Sequence, residues 1–253
     1  MFYSKKLSQF TNLNHCFFSR KNGFSRGTYN TLNCGFGSND SKINITKNLN
    51  YVSDNMGVKL KNLILMNQTH SNRVISVDKH NVLNKKFDSD SLVTKLKGIS
   101  LGVLTADCVP IILYDETINM IGCIHAGWKG AFAGIIENTL FKFKEISDLN
   151  KITASVGPCI GKESYEVNED FYRKFIEETK LNQVFFEGKN DKKYLFDIRG
   201  YVINKLKLNG VSDIDDVNRN TFKEADNFFS YRRSQKLGEL DYGRCISTIC
   251  LKT

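Results

Sequence analysis

The sequence predicts an α/β protein built around a mixed β-sheet. Short apolar runs of strand length alternate with segments whose apolar residues recur at helical spacing. The alternation lacks the strict strand–helix–strand rhythm of an all-parallel sheet. With 253 residues and 41% hydrophobic content, the chain can bury a sizeable core. No linker, repeat or low-complexity block divides it, so residues 1–253 read as a single domain.

The elements follow in order. NHCFF near the N-terminus is strand-like. Residues 41–57 place Ile43, Ile45, Leu49, Val52 and Met56 at loose helical spacing and end on Gly57. Residues 61–66 and 73–77 read as strands around the polar turn NQTHSN. LGVLTADCVPIILYD is two apolar runs split by Asp107 and Cys108, with Pro110 suited to a bend where the second strand begins. A strand IGCIH then leads into AGWKG and a helix over about 131–145 that would bury Ile135, Ile136, Leu140 and Phe143. ITASV is a strand, and residues 168–179 form a helix with Phe171, Phe175 and Ile176 inward. YLFDI leads into a helix over 199–208, and IDDV and CISTICL are further strands.

The formal charge is +9, which raises nucleic-acid binding as a function. However, 27 lysines stand against nine arginines, beside 26 asparagines, a composition typical of an AT-rich genome. Only FFSYRR interleaves basic and aromatic residues, and Lys85, Lys86, Lys192 and Lys193 read as solvated faces, so no specific nucleic-acid partner is expected. No run of 18 apolar residues occurs and the N-terminal segment has no apolar signal core, so neither a membrane partner nor export is expected. Seven scattered cysteines do not form a disulfide framework, and the expected location is cytoplasmic.

Three residues carry the chemistry. His70 closes LILMNQTH, Cys108 follows the first apolar run of its segment, and His125 ends IGCIH. Two imidazoles and a thiolate suit zinc, and three protein ligands leave a fourth position open for catalysis. The spacings of 38 and 17 residues are too long for a zinc finger, so the fold must bring the ligands together. Each residue also has a plainer reading. His125 could be a satisfied histidine in a tight turn, Cys108 a buried inert thiol, and His70 an exposed turn residue. His15 and His80 are read as core or surface, not as ligands.

Asp107 needs a reason to lie between two core runs. It could orient an imidazole or accept a proton. Gly127 and Gly130 would let the backbone approach a ligand, and free amides at a helix start attract anions. Arg20, Asn30 and Asn33 lie in the glycine-rich segment SRKNGFSRGTYNTLNCGFG, which is long enough to cover a site. Arg232 or Arg233 could hold a phosphate through paired hydrogen bonds. Cys159 could line the same cleft; the remaining cysteines read as packing.

Together these segments resemble the laccase-domain family, long described as multicopper polyphenol oxidases and now as purine nucleoside phosphorylases. The matching blocks are SRKNGFSRGTYNTLNCG, NQTHSNRV, TADCVPIILYD, IHAGWKG, VGPCIGKESYEV and FFSYRR with a final GR, in family order over nearly the whole chain. The resemblance implies a single-domain α/β sandwich with a mixed β-sheet. It implies a catalytic zinc on His70, Cys108 and His125, with copper possible in its place. It further implies phosphorolysis of adenosine, inosine and methylthioadenosine to base and ribose 1-phosphate, and deamination of adenosine to inosine. Some members have been assigned a role in peptidoglycan editing. Where the family usually has Cys-Thr before FFSYRR, this chain has Asn220-Thr221, so a second metal or redox role for that cysteine is absent here. SQKLGELDY before Gly243-Arg244 is also longer than the family pattern and alters the edge of the cleft.

The leading expectation is thus a zinc enzyme acting on purine nucleosides and phosphate, as a monomer or homodimer. Cys108, His70, His125 and Asp107 are the expected catalytic residues, and Arg20, Asn33, Gly127 and Arg233 the expected substrate contacts. Arg20 is placed ahead of Arg233 for phosphate, and Asp107 or Glu166 is nominated to carry the deamination proton. A copper oxidase acting on phenols is the rival enzyme. It is disfavoured because four histidines are too few for a multicopper cluster. A non-enzymatic peptidoglycan-editing factor is the third reading.

Overall fold

Strands that are apolar along their whole length need cover on both faces, and that requirement sets the layers of this molecule. A computed structural model of the protein describes residues 1–84 and 87–253; Lys85 and Lys86 lie outside the described residues. The first part of the chain forms β1 (Leu13–Phe17), α1 (Lys42–Asn55), β2 (Leu63–Leu65), β3 (Val74–Val77), β4 (Ser91–Thr94) and β5 (Ser100–Thr105). The centre forms β6 (Val109–Asp115), β7 (Met120–Ala126), α2 (Trp128–Phe132), α3 (Ile135–Lys144) and β8 (Ile152–Val156). Then come β9 (Glu166–Asn168), α4 (Glu169–Glu178), β10 (Phe186–Gly188) and β11 (Lys193–Phe196). The chain closes with α5 (Ile198–Leu208), β12 (Asp213–Asp216), α6 (Tyr231–Leu237) and β13 (Cys245–Leu251).

Two mixed sheets dominate. One has the order β1-β13-β5-β2, with β2 parallel to β5 and the other pairs antiparallel. The other has the order β12-β8-β6-β7-β4-β3, with parallel pairs only at its two edges. Side chains alternate across each strand. In β6, Ile112 and Tyr114 enter the core between the sheets with Leu101, Val103 and Ile249, whereas Ile111 and Leu113 face α3 and α5. α1 covers the outer face of the four-stranded sheet through Ile45, Leu49 and Val52. The result is helix, sheet, sheet, helix: an α/β sandwich, as expected.

Most expected elements are present, with three differences. Ile43 is 70% exposed, because it cannot share a helix face with Ile45 two residues away. The helix expected over 131–145 is two helices, α2 and α3, broken at Gly134, whose φ of +92° suits glycine. Its four named apolar residues are all buried. In α4, Phe175 is fully buried while Phe171 and Ile176 are half-buried; Asn168 caps it by accepting from Phe171 N. A small antiparallel sheet, β10-β11-β9, packs its aromatics on α4. Lys192 and Lys193 are on a solvated face, paired with Glu169 and Glu166. No helix among the described residues is long and apolar enough to cross a membrane.

Candidate metal centre

The three expected ligands meet at one end of the sandwich. His70 lies where the chain crosses from β2 in one sheet to β3 in the other. Cys108 lies where it crosses again, from β5 to β6. His125 is near the end of β7, where the β6–β7 register sets it opposite Pro110. The donor atoms of His70, Cys108 and His125 all lie within 4.8 Å of one another, and Cys108 Sγ is 3.6 Å from His70 Nε2. Tetrahedral ligands of zinc stand about 3.3–3.6 Å apart, given bonds of about 2.0–2.3 Å. The donor set therefore fits a metal with little adjustment.

Backbone geometry makes this approach possible. His70 and Asp107 have φ of +59° and +85°, a left-handed conformation uncommon outside glycine that recurs at functional sites. A Cβ on Gly127 would sit 2.5 Å from the His70 ring and 3.1 Å from Cys108 Sγ. Gly127 thus serves the site by leaving room for two ligands.

Sequence reasoning missed the residue that organises the centre. Asp90 is fully buried, and its Oδ1 lies 2.7 Å from His125 Nδ1. That bond leaves Nε2 of His125 to face the site, an arrangement typical of metal-binding histidines. The same carboxylate accepts from the backbone N–H of Thr69, His70 and Ser71 and from the Ser71 hydroxyl. Asp90 therefore fixes the ring of one ligand and the turn carrying another. Only its place in the polar run DSDS marked it in the sequence.

Asp107 is the corresponding correction. It orients neither imidazole. Its carboxylate accepts from Thr221 Oγ1 at 2.6 Å, Ser230 Oγ at 2.9 Å and Arg232 N at 2.7 Å. It fastens the start of α6 and the Thr221 loop to the segment carrying Cys108.

The electrostatics follow from these contacts. Burial alone would raise the Cys108 thiol, but the His125 and His70 imidazoles outweigh it and bring it down to about 6. Burial alone would lower His125, but Cys108 and Asp90 bring it up to about 9. Burial would also raise Asp90, but the bonds from His125 and Ser71 hold its carboxyl well below the usual range. In Asp107 burial prevails over its three donors, and the carboxyl is pushed up. Cys108 is thus poised as a thiolate, the form that binds metals.

The three ligands open onto a cavity of about 820 Å³. Phe36, Tyr231 and Tyr242 supply aromatic surface to its wall, and Trp128, Lys129 and Arg244 also line it. Among the described residues, no aspartate or glutamate does.

The other expected residues are elsewhere. Arg20 and Arg233 do come together, but they line a second pocket of about 320 Å³. Asn33 is fully buried and lines neither: its amide donates to Ser38 and Asp40, and its oxygen accepts from Gly35 N and Arg244 N. Asn30 offers its carbonyl to Arg20 Nε. Arg232 donates to the Glu166 carbonyl and lies 5.2 Å from the Tyr165 ring. The Glu166 carboxylate faces Lys189 and Lys193, which hold it down at about 2. Cys159 is buried against Arg199. Asn220, at the position of the family's usual cysteine, bonds Glu163 and Ser164. Of the remaining histidines, His15 is buried and accepts from Ser4 N, and His80 is exposed.

Comparison with known proteins bears on the family and the fold. Residues 14–252 match the family model described as "Multi-copper polyphenol oxidoreductase laccase". A Rickettsia prowazekii protein named purine nucleoside phosphorylase is 33% identical over 77% of this chain and 80% of its own. A Corynebacterium glutamicum protein of the same name is 33% identical over 88% of this chain and 89% of its own. The crystal structure of a Neisseria meningitidis protein superposes with a TM-score of 0.86, at 29% identity, covering 96% of both chains.

Proposed function

The chain belongs to the laccase-like family whose model it matches from residue 14 to residue 252, and from that premise we propose that it is a zinc-dependent purine nucleoside phosphorylase. Its substrates on this reading are inorganic phosphate and adenosine, inosine or methylthioadenosine. The names of its relatives point to this activity. The observation that carries it is the composition of the cavity: a His-Cys-His centre, aromatic walls and two cations, with no carboxylate among the described residues.

That composition suits phosphorolysis better than hydrolysis. An oxygen of HPO₄²⁻ forms a bond to ribose C1′ as the bond from C1′ to the purine nitrogen breaks. The bonding pair leaves with the purine, and the proton of HPO₄²⁻ passes to it. The products are ribose 1-phosphate and neutral base, so the nucleophile brings its own proton. Phe36, Tyr231 and Tyr242 offer surface on which a purine can stack. Zinc held by His70, Cys108 and His125 would supply Lewis-acid stabilisation of developing negative charge. Deamination is different, because water must surrender a proton that has to be carried to the leaving ammonia. The two carboxylates nominated for that task, Asp107 and Glu166, are bound elsewhere. Deamination of adenosine is accordingly the slower activity.

Copper oxidation of phenols is the competing reading. With His15 in the core and His80 apart, one candidate three-ligand centre remains among the described residues, whereas reducing oxygen to water takes a cluster rich in imidazole. The test is zinc-loaded protein incubated with adenosine and phosphate, with and without oxygen. Adenine and ribose 1-phosphate should form at the same rate in both. Cys108→Ala should lose bound metal and at least about 100-fold in kcat/KM while keeping its circular dichroism, since one catalytic group is typically worth about 10²–10⁴-fold. No phosphorolysis with zinc, together with fast oxygen-dependent phenol turnover with copper, would overturn the proposal.

A further inference from the structure

Phosphorolysis needs a place for a dianion, and among the described residues two pockets are each lined by two cations, a pair for each pocket. The first is Arg20 with Arg233. Their guanidinium groups are already taken up by the backbone. Arg20 donates to the carbonyls of Asn30, Ala225 and Thr28 and lies 4.2 Å from the Phe229 ring. Arg233 donates to the carbonyls of Thr221, Phe222 and Phe228. A phosphate would have to displace these acceptors from half-buried groups. Glu239 also lines that pocket, placing a negative charge beside the incoming anion.

The second pair is Lys129 with Arg244, and both line the cavity of the metal centre. Lys129 follows His125 by four residues and is exposed. Its ammonium lies 5.7 Å from the Trp128 ring and makes no ion pair among the described residues. Arg244 is held in place without being used up. Its backbone N–H donates to Asn33, Nη1 donates to the Tyr242 carbonyl and lies 3.5 Å from Asp241, and the guanidinium lies 4.2 Å from the Tyr242 ring, as that of Arg20 does from Phe229. Its Nε and Nη2 carry no hydrogen bond among the described residues.

We propose that Lys129 and Arg244 form the phosphate subsite, inside the metal cavity, and that the Arg20–Arg233 pocket is a structural clasp. The proposal rests on the phosphorylase reading and assigns its second substrate to named residues. The two cations complement HPO₄²⁻; Asp241 beside Arg244 offsets part of that charge, but no carboxylate among the described residues lines the cavity wall itself. Lys129 serves as a mobile point charge and Arg244 as a pre-positioned fork. Asn33 becomes a positioning residue that fixes the backbone of Arg244.

The experiment compares Lys129→Gln, Arg244→Gln and Arg20→Gln, each loaded with zinc and each checked by circular dichroism and metal content. Phosphate KM and nucleoside KM are measured separately, and binding of inorganic phosphate alone is followed by ³¹P line broadening. Lys129→Gln and Arg244→Gln should each raise phosphate KM at least about 10-fold, the usual loss for a charge-assisted hydrogen bond. Nucleoside KM should stay within about twofold, and the ³¹P broadening should weaken in parallel. Arg20→Gln should leave phosphate KM and the broadening unchanged. The reverse pattern, with phosphate lost in Arg20→Gln and kept in Lys129→Gln, would overturn the subsite while leaving the phosphorylase intact. A wild-type protein without phosphorolysis, whose ³¹P broadening still depends on Lys129, would overturn the reaction and leave the anion site standing.

Discussion

Asp90 and Asp107 are both buried beside the same three candidate ligands, yet they do opposite things. Asp90 is 20 residues from His70 and 35 from His125, and it holds both. Asp107 is bonded covalently to Cys108 and touches none of the ligand side chains; its partners are Thr221, Ser230 and Arg232, more than a hundred residues away. Their titration differs too. The carboxyl of Asp90 is held below its ordinary range by an imidazole and a serine, whereas that of Asp107 is raised by burial. A carboxylate's task is set by which donors the fold brings to it, and adjacency in sequence is a poor guide.

The comparison breaks most visibly at Asp90. Asp90→Ala strands the His125 Nδ1–H and the donors of the 69–71 turn, so a loss of about 3–5 kcal/mol is expected in urea unfolding. Zinc affinity should fall about 10–100-fold by competition with a chelator. If zinc affinity stays at the wild-type value, Asp90 is not what aims His125.

Acid unfolding sharpens the comparison by removing a third contributor. His15 is lowered to about 4, chiefly by burial, and its Nε2 accepts from Ser4 N. A depressed histidine stabilises the fold fully above its unfolded value of about 6.5, and the contribution drains away as pH falls from there to about 4. Its size is about 3 kcal/mol at most, at 1.36 kcal/mol per unit. The urea midpoint should drop between pH 7 and pH 4.5 in the wild type and much less in His15→Gln. An unchanged drop in that variant would move the acid sensitivity to other groups, and the two aspartates would then have to be compared at a single pH.

Asp107→Asn should show the smallest effect. It sets an amide against three donors and should cost about 1–3 kcal/mol. Zinc stoichiometry should stay at the wild-type value, because no ligand imidazole depends on it. Loss of zinc in Asp107→Asn would mean that the two carboxylates share one task after all.

Much of this was legible in the residues. VPIILYD, ITASV and CISTICL coincide with β6, β8 and β13, because short runs rich in apolar and small hydroxyl residues, bounded by polar turns, suit strands buried on both faces. The candidate triad was legible because His70, Cys108 and His125 each stand in a turn or strand end next to an apolar run, where the fold can bring metal-binding side chains together. Asp90 escaped because an aspartate among serines looks like any surface turn; its burial is a product of the tertiary fold. The same holds for the arginines. Arg20 and Arg233 do meet across more than two hundred residues, but which carbonyls they meet, and that Glu239 joins them, depends on loops with no periodic signal. Strands β4, β9 and β10 were not expected: each is short and takes its place from the strand it pairs with.

The crossings between the sheets carry a mechanical consequence. His70 and Cys108 sit on the two segments that leave the four-stranded sheet for the six-stranded one, and His125 belongs to the latter. A metal bridging the three would act as a rivet through one end of the sandwich. The cavity lies at that fastened end, so its walls would be held in register by the same bridge.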